Sequence, residues 1–298
     1  MALLEVKGIT KIFTQKKKPA HVVLENMSFT VERGQYVSLL GPSGCGKTTL
    51  LTMLGGFLTP DEGQIVLAGN KVERPGPDRG FVFQNYALFP WMTVKENILY
   101  SLKVKKLSKK EQNERLQELL EISHLFGSEN KYPVQLSGGM QQRVAVVRAL
   151  ASRPEILLLD EPLGAIDFQM RELLQEELAA LVQGAKTTVV MVTHDVNESV
   201  YLSDRVIVMS AHKGQIVQDV YIDLDRPRDR QSEGFKAYVS ELTELVRQAF
   251  HEKVVDIEIP PGFTEKDANY NNQISFTDAY NRMTSKYTNN VTNGRVAK

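Results

Sequence analysis

Residues 41–48, with the sequence GPSGCGKT, match the phosphate-binding pattern G-x-x-x-x-G-K-[ST] at every fixed position. Glycines let successive backbone N–H groups turn inward around a polyphosphate, and Lys47 adds a positive charge for its outer phosphates. The Thr48 hydroxyl can bind Mg²⁺, and the N-terminus of a following helix favours anions. This stretch therefore predicts binding of a nucleotide polyphosphate.

Two adjacent carboxylates follow an apolar run in the sequence ILLLDEP, which begins at Ile156. Asp160, at the tip of the predicted strand, is placed to hold Mg²⁺ through water next to Thr48. Glu161 points elsewhere and can orient or deprotonate an attacking water. Because carboxylates beside a core are costly unless they bind something, the pair indicates chemistry rather than stability.

Polar side chains also end two other apolar runs. Gln84 ends the sequence FVFQ, where it can reach a metal ion or a water at the carboxyl edge of an α/β sheet. His194 follows the apolar run at 187–193. A strand-end glutamine or a lone histidine is more often structural, but a third strand end with a suitable polar group favours a functional role for His194.

A second anion-binding feature is the sequence LSGGMQQ at 136–142, in which a serine and two glycines precede a helix predicted over 141–152. Free backbone N–H groups at a helix start, together with the Ser137 hydroxyl, form an anion site. One chain that has one nucleotide loop and a separate anion-binding helix start invites an explanation with two chains.

The strands and helices that position these residues can be placed from apolar periodicity. A strand at 36–40 leads into the phosphate loop and a helix at 48–54 leaves it, as the motif requires. Further strands are predicted at 3–13, 22–31, 64–68, 81–84, 155–160, 187–193, 205–210 and 215–221.

Residues 85–132 have mostly helical character, with capping-box patterns at Thr93 and Glu96 and at Ser108 and Glu111. Trp91 stands at an aromatic turn there, and either ordinary packing or a partner's groove would explain it. The last predicted helix, at 233–250, is amphipathic. Its apolar stripe comprises Phe235, Tyr238, Val239, Leu242, Leu245, Val246 and Phe250.

The composition limits the classes of protein to which this chain can belong. The chain has 298 residues with 36 Lys+Arg and 36 Asp+Glu, and this balance argues against nucleic acid as a partner. Its single cysteine, Cys45, cannot form a disulfide within the chain, which fits a reducing compartment. The N-terminus lacks the apolar core of a signal peptide, and no apolar run approaches the roughly 20 residues of a membrane-spanning helix.

The ordered set of phosphate loop, Gln84, LSGGMQQ, LLLDEP, the turn at Asp167 and His194 resembles the nucleotide-binding subunit of ATP-binding cassette (ABC) transporters. The resemblance covers roughly residues 2–250. In that family two such subunits sandwich two ATP molecules head to tail. The fold expected is α/β: a P-loop NTPase core with a mixed sheet and flanking helices, an antiparallel β subdomain and a helical insertion.

The resemblance also implies roles for residues of this chain. Glu161 would be the catalytic base, His194 the γ-phosphate sensor, and Gln84 the link between Mg²⁺ and the helical insertion, with Lys47 also catalytic. ATP would contact Phe13, Gly41, Ser43, Gly44, Cys45, Gly46, Lys47, Thr48, Thr49 and Gln84. Mg²⁺ would be held by Thr48, Gln84 and Asp160. The ATP bound to the partner chain would contact Ser137, Gly138, Gly139, Gln141 and Asp167.

Three further phrases resemble the nitrate/sulfonate/taurine importer group, which includes bicarbonate systems: PGPDRG at 75–80, FPWMTV at 89–94 and RPRDR at 226–230. This resemblance implies ATP-driven solute uptake, with the subunit at the cytoplasmic face of the membrane. The expected partners are a second copy or a homologous nucleotide-binding subunit, transmembrane permease subunits and, indirectly, a solute-binding protein. The transported solute is not encoded in these motifs.

The expected domain organisation is an ATPase domain over 1–250, with its helical insertion at about 85–152, and a C-terminal extension over 251–298. The extension has seven asparagines between 269 and 298 and few aliphatic residues, which predicts a weakly ordered tail in preference to a small add-on docked through Tyr270, Phe276, Tyr280 and Tyr287. One alternative function is a soluble cassette ATPase that acts on ribosomes or DNA, and another is a regulatory module without turnover.

Overall fold

A computed structural model describes residues 2–14, 19–104, 107–164 and 168–251 of the chain. Strands and helices within these residues are numbered in chain order. The strands are β1 (Ala2–Phe13), β2 (His21–Glu32), β3 (Tyr36–Leu40), β4 (Glu62–Leu67), β5 (Asn70–Lys71), β6 (Arg79–Val82), β7 (Ile156–Asp160), β8 (Thr188–Thr193), β9 (Arg205–Met209) and β10 (Ile216–Tyr221). The helices are α1 (Lys47–Leu54), α2 (Val94–Val104), α3 (Lys109–Ile122), α4 (Gly138–Ala151), α5 (Phe168–Ala185), α6 (Val196–Leu202) and α7 (Glu233–His251).

A six-stranded mixed sheet in the order β10-β9-β3-β8-β7-β6 forms the centre of the fold. Its strands are parallel except β10, which pairs antiparallel with β9. Every residue of β3, β7 and β8 is buried, because helices or the second sheet cover both faces. The polar residues that follow these parallel strands therefore meet at one carboxyl edge of the sheet.

A smaller four-stranded sheet, in the order β2-β1-β4-β5, is antiparallel throughout. Its apolar face shares one core cluster with helix α1 and with one face of the central sheet. Strands β1 and β2 thus support the segment that follows β3. The mixed central sheet, flanking helices and separate antiparallel sheet confirm the predicted fold class.

Helices α2, α3 and α4 lie between β6 and β7 in the chain and share a second core cluster with the other face of the central sheet. Both predicted capping boxes are present. Glu96 accepts from the Thr93 N–H at 2.8 Å, and Glu111 accepts from the Ser108 N–H at 2.8 Å. The helices of this region therefore begin where local side chains satisfy their first N–H groups.

The RPRDR phrase at 226–230 fastens the segment between β10 and α7 to the domain. The buried Arg228 guanidinium donates to the carbonyls of Val200 and Ser203, and Arg226 donates to Asp204 at 2.7 Å. Arg230 lies over the Tyr201 ring, 3.6 Å from its centroid. This group-specific phrase therefore has a structural role in the described part of the chain.

Three predicted details are wrong. Strand β6 ends at Val82, so Gln84 lies in the turn beyond it, and helix α4 begins at Gly138 instead of Gln141 because the Ser137 side chain caps it. Phe250 is 54% exposed, and Ala249 takes the core position on α7 instead.

Two expectations lie outside the described residues, those for Asp167 and for the extension beyond residue 251. Trp91 is half-buried, with its ring 5.7 Å from that of Phe89. Within the described ranges, none of the helices is long and apolar enough to cross a bilayer.

Candidate active site

The phosphate loop joins the end of β3 to the start of α1 and is shaped by two tight glycine positions. Gly46 caps α1 with a left-handed backbone, φ 98°. A Cβ at Gly46 would stand 2.9 Å from Leu24 Cδ2 on β2, and one at Gly41 would stand 2.5 Å from the Met209 carbonyl oxygen. Larger residues would clash at both positions, so the loop can follow this path only with glycine there.

Lys47 is buried inside the loop. Its ammonium donates to the carbonyl oxygens of Gly41 at 2.7 Å and Pro42 at 2.8 Å. The Cys45 sulfur lies 3.8 Å from the same nitrogen, and burial raises the pKa of this thiol. The lysine is therefore oriented by the backbone that would surround a phosphate. Ser43, Gly44 and Thr48 are exposed, and Thr49 is half-buried.

Thr48 and Asp160 form a polar pair between α1 and the end of β7. The Thr48 hydroxyl donates to Asp160 Oδ1 at 3.0 Å. The pKa of Asp160 is raised to about 6, because burial and the nearby Glu161 charge raise it by more than the Thr48 hydrogen bond and the Lys47 charge lower it. A hydroxyl and a buried carboxylate are oxygen donors of the kind that Mg²⁺ uses alongside substrate phosphates. The pair therefore fits a cation bound together with a nucleotide.

Glu161 stands where three strand ends meet. Its Oε2 accepts from the Gln84 amide at 3.0 Å, and His194 Nδ1 lies 3.4 Å from its Oε1. The Glu161 backbone is left-handed, φ 43°, and its N–H donates to the Val192 carbonyl at 3.0 Å. Gln84, Glu161 and His194 follow β6, β7 and β8, so the adjacent parallel strands bring these side chains together.

The serine and glycines of LSGGMQQ form the exposed start of α4. The Ser137 side chain accepts from the Met140 N–H at 3.3 Å, and Ser137 and Gly138 are exposed. The Gln141 amide donates to the carbonyls of Pro133 and Leu136, so it faces its own chain. Within the described residues, the hydrogen bonds of Ser137 and Gln141 stay inside this segment and do not reach the phosphate loop.

Phe13 ends β1 opposite His21 of β2, and its ring centroid lies 5.5 Å from Lys11 Nζ. The neighbouring β1–β2 pairs include Lys11 with Leu24, the residue that contacts the phosphate loop at Gly46. The hairpin therefore places Phe13 on the part of the small sheet that adjoins the loop.

Two arginines and a glutamate contact the segments that follow Gln84 and flank His194, although no sequence motif identifies them. Arg148 of α4 donates to the carbonyls of Tyr86 and Ala87, just after Gln84. Arg171 of α5 donates to Asp195, beside His194, at 3.1 Å. Glu198 is buried below the same turn. The only signal for this group is Asp195 followed three residues later by Glu198, which resembles a capping pattern.

Comparison with known proteins gives consistent results. The family described as "ABC transporter" matches residues 24–164. An uncharacterised ABC transporter ATP-binding protein of Methanocaldococcus jannaschii, MJ0412, is 46% identical over 244 residues, which is 82% of this chain and 91% of that protein. The aliphatic sulfonates import ATP-binding protein SsuB of Bacillus cereus is 42% identical over 83% of this chain and 95% of its own length.

The nitrate import ATP-binding protein NrtD of Synechococcus elongatus is 43% identical over 75% of this chain and 82% of that protein. Among solved structures, the dimeric post-hydrolysis state of the ATP-binding cassette MJ0796 bound to ADP and Pi superposes with a TM-score of 0.64. It is 33% identical and covers 74% of this chain and all of that chain.

Proposed function

This chain belongs to the ABC transporter family, and from that membership we propose that it is the ATP-binding and ATP-hydrolysing subunit of an importer for a small anion such as a sulfonate, nitrate or bicarbonate. The observation that carries the proposal is the meeting of Gln84, Glu161 and His194 beside the Thr48–Asp160 pair. This arrangement provides a base, a polar neighbour on each side and oxygen ligands for a cation at one sheet edge.

Each group has a defined task in hydrolysis. Lys47 and the loop N–H groups bind the phosphates of ATP, and Thr48, Gln84 and Asp160 would hold Mg²⁺, which neutralises phosphate charge when bound. Glu161 takes a proton from the attacking water, whose oxygen bonds to the γ-phosphorus as the bond to the β–γ bridging oxygen breaks. His194 interacts with the γ-phosphate. ADP and phosphate then leave as separate products.

A second nucleotide-binding subunit completes the site in this proposal. Ser137 and Gly138 are exposed at the start of α4, where backbone N–H groups favour anions. Their hydrogen bonds give no contact to the phosphate loop of their own chain among the described residues. A head-to-tail pair of subunits would place Ser137, Gly138 and Gly139 against the partner's ATP, and the MJ0796 relative is described as dimeric. By the resemblance, Asp167 and Gln141 are also proposed to contact the partner's ATP, and the Gln141 amide would then have to leave the carbonyls of its own chain.

Transmembrane permease subunits are the second class of proposed partner, with the chain held at the cytoplasmic face of the membrane. A cluster of aromatic rings adjoins Gln84. The ring centroids of Phe81 and Phe83 lie 4.3 Å apart, and Phe57 is 38% exposed. An aromatic surface next to a residue that contacts the base could pass movement between a permease and the site. A solute-binding protein would deliver the anion to the permease and not to this chain.

Replacing the base tests the proposed chemistry. The isosteric Glu161→Gln protein keeps its shape and can still bind ATP, but it cannot accept the proton. We expect its ATP turnover to fall by about 100-fold or more while ATP binding and ATP-dependent dimerisation persist. Steady-state phosphate release and size-exclusion chromatography with ATP measure the two effects.

The matched control is Glu155→Gln, just before β7 at its other end, where the carboxylate pairs with exposed Arg33. It should hydrolyse ATP like the unmodified chain. Normal turnover in Glu161→Gln would refute the assignment of the base. Isolation of the tagged chain with ribosomes instead of membrane subunits would refute the importer assignment in favour of a soluble cassette ATPase.

A further inference from the structure

The turn that carries His194 is held by an unusual variant of a helix cap. Asp195 caps α6 by accepting from the Glu198 N–H at 3.1 Å. In the capping boxes at Thr93 and Ser108, the glutamate three residues on accepts from the cap's own N–H. At Asp195 the Thr193 hydroxyl accepts that N–H instead, at 3.0 Å, and donates its own proton to Glu198 Oε2. His194 lies between the two residues joined by this chain of hydrogen bonds.

Glu198 is 3% exposed, whereas the glutamates of the two ordinary capping boxes are exposed. Its Oε1 is buried and has no hydrogen-bond partner among the described residues. Glu161, His194, Arg171 and Asp195 line the same small cavity as Glu198. The titratable and charged groups that face Glu198 are thus Glu161, His194, Asp195, Arg171 of α5 and Tyr36 of β3.

We propose that Glu198 is a positioning residue for His194, because its carboxyl group fixes the Thr193 hydroxyl that bridges the His194 turn. This inference rests on the proposed ATPase function and extends it to a buried residue behind the His194 turn. Glu198 acts through Thr193 and Asp195 on the geometry of the histidine beside Glu161.

The surroundings favour the neutral acid. A buried carboxylate with one unpartnered oxygen would be strongly destabilised, and two acidic neighbours, Glu161 and Asp195, would repel it. Arg171 offsets part of this effect, but its guanidinium is already engaged by Asp195 at 3.1 Å. Burial is the largest cause that raises the pKa of Glu198, to about 7. The hydrogen bond from Thr193 favours the ionised carboxylate and lowers this pKa, so the bond can form in both protonation states of Glu198.

The test compares Glu198→Gln with Glu198→Ala in the full-length chain, measuring kcat and KM for ATP at pH 7. Glutamine has the shape and neutrality of the protonated acid, so we expect kcat at pH 7 within about twofold of the unmodified chain. Alanine should lower kcat by about tenfold with little change in KM, because the turn and not ATP binding is affected.

Thr193 provides an independent pair of variants if the alanine chain folds poorly. Thr193→Ser keeps the bridging hydroxyl and should keep kcat, whereas Thr193→Val should lower it as Glu198→Ala does. Equal loss of kcat in Glu198→Gln and Glu198→Ala would overturn the proposal. An unmodified chain that binds but never hydrolyses ATP would instead refute the proposed function itself.

Discussion

Glu161 shows how much of this site depends on a single backbone conformation. A non-glycine residue with φ 43° is uncommon, and such a conformation persists only where the surroundings compensate for its strain. Here the Glu161 N–H bonds to Val192 on β8 and the Gly164 N–H bonds to the Glu161 carbonyl. These bonds turn the side chain away from the direction of Asp160 and toward Gln84 and His194.

Asp160 leads to a prediction at the same scale. Burial raises the pKa of Asp160 from 3.8 to about 6. The raised pKa stabilises the folded state fully below pH 4, and this stabilisation is lost as pH rises through 6. The neutral Asp160→Asn chain escapes that loss and should be more stable than the unmodified chain by about 3 kcal/mol at pH 8. Chemical unfolding at pH 4 and pH 8 without nucleotide measures the difference, which should shrink at the lower pH.

Asp61 is the matched control because it is also a buried aspartate but is paired with buried Lys11 at 3.2 Å. It also accepts from the Ile12 N–H at 2.7 Å. Asp61→Asn should destabilise the fold by about 3 kcal/mol, since it leaves the Lys11 charge unpaired. Destabilisation by both substitutions at pH 8 would contradict the inference that ionised Asp160 lowers the stability of the fold in the absence of nucleotide.

At the scale of elements, Arg148 joins helix α4 to the segment after Gln84. It donates to the carbonyls of Tyr86 at 3.0 Å and Ala87 at 2.8 Å, two residues with left-handed backbone, and lies over the Phe89 ring. One side chain thus connects helix α4, which Ser137 caps, with the turn that carries Gln84.

Arg148→Ala should therefore destabilise the helical region by about 2 kcal/mol, because two buried carbonyls lose a charged donor. Hydrogen exchange of amides in 86–104 should accelerate, while ATP affinity, which depends on the phosphate loop, should stay unchanged. Arg153→Ala is the control, since that side chain is 74% exposed and its ion pair with Glu118 is long, at 3.7 Å. Equal exchange rates in the two variants would contradict the linking role of Arg148.

The elements also show what can be predicted from sequence. Strand β3 was predicted to the residue because its apolar run is uninterrupted and the motif after it has a known geometry. The start of α4 was misplaced because two glycines are poor helix formers, yet the Ser137 cap outweighs their propensity. Arg148 and Glu198 could not be found this way. Their roles depend on which carbonyls and hydroxyls the folded chain brings near them.

At the scale of the whole molecule, the proposed composite site can be tested by mixing two inactive chains. Lys47→Ala removes the phosphate-loop charge, and Ser137→Arg blocks the exposed start of α4. In a head-to-tail pair, one chain of each kind forms one intact site and one doubly damaged site, so the mixture should regain about a quarter of the activity if the sites act independently. ATPase assays before and after mixing the chains measure the gain.

Two mixtures of identical variants serve as controls and should stay inactive. A mixture of Lys47→Ala with Glu161→Gln is a further control. Both residues belong to the same half of the site, so a chain of each kind leaves no site intact. Activity in that mixture, or none in the first, would contradict the arrangement of two chains around each ATP.

The hydrogen bond from Gln84 to Glu161 also has a consequence for how fast the subunit consumes ATP. Glu161 accepts from Gln84 on one oxygen and has His194 3.4 Å from the other, so any water that it deprotonates must share a carboxylate that Gln84 already contacts. Gln84 sits next to the aromatic rings at which a permease is proposed to act. Under the proposed function, a shift of this one amide would reach the base directly, so the rate of ATP consumption would follow the position of Gln84.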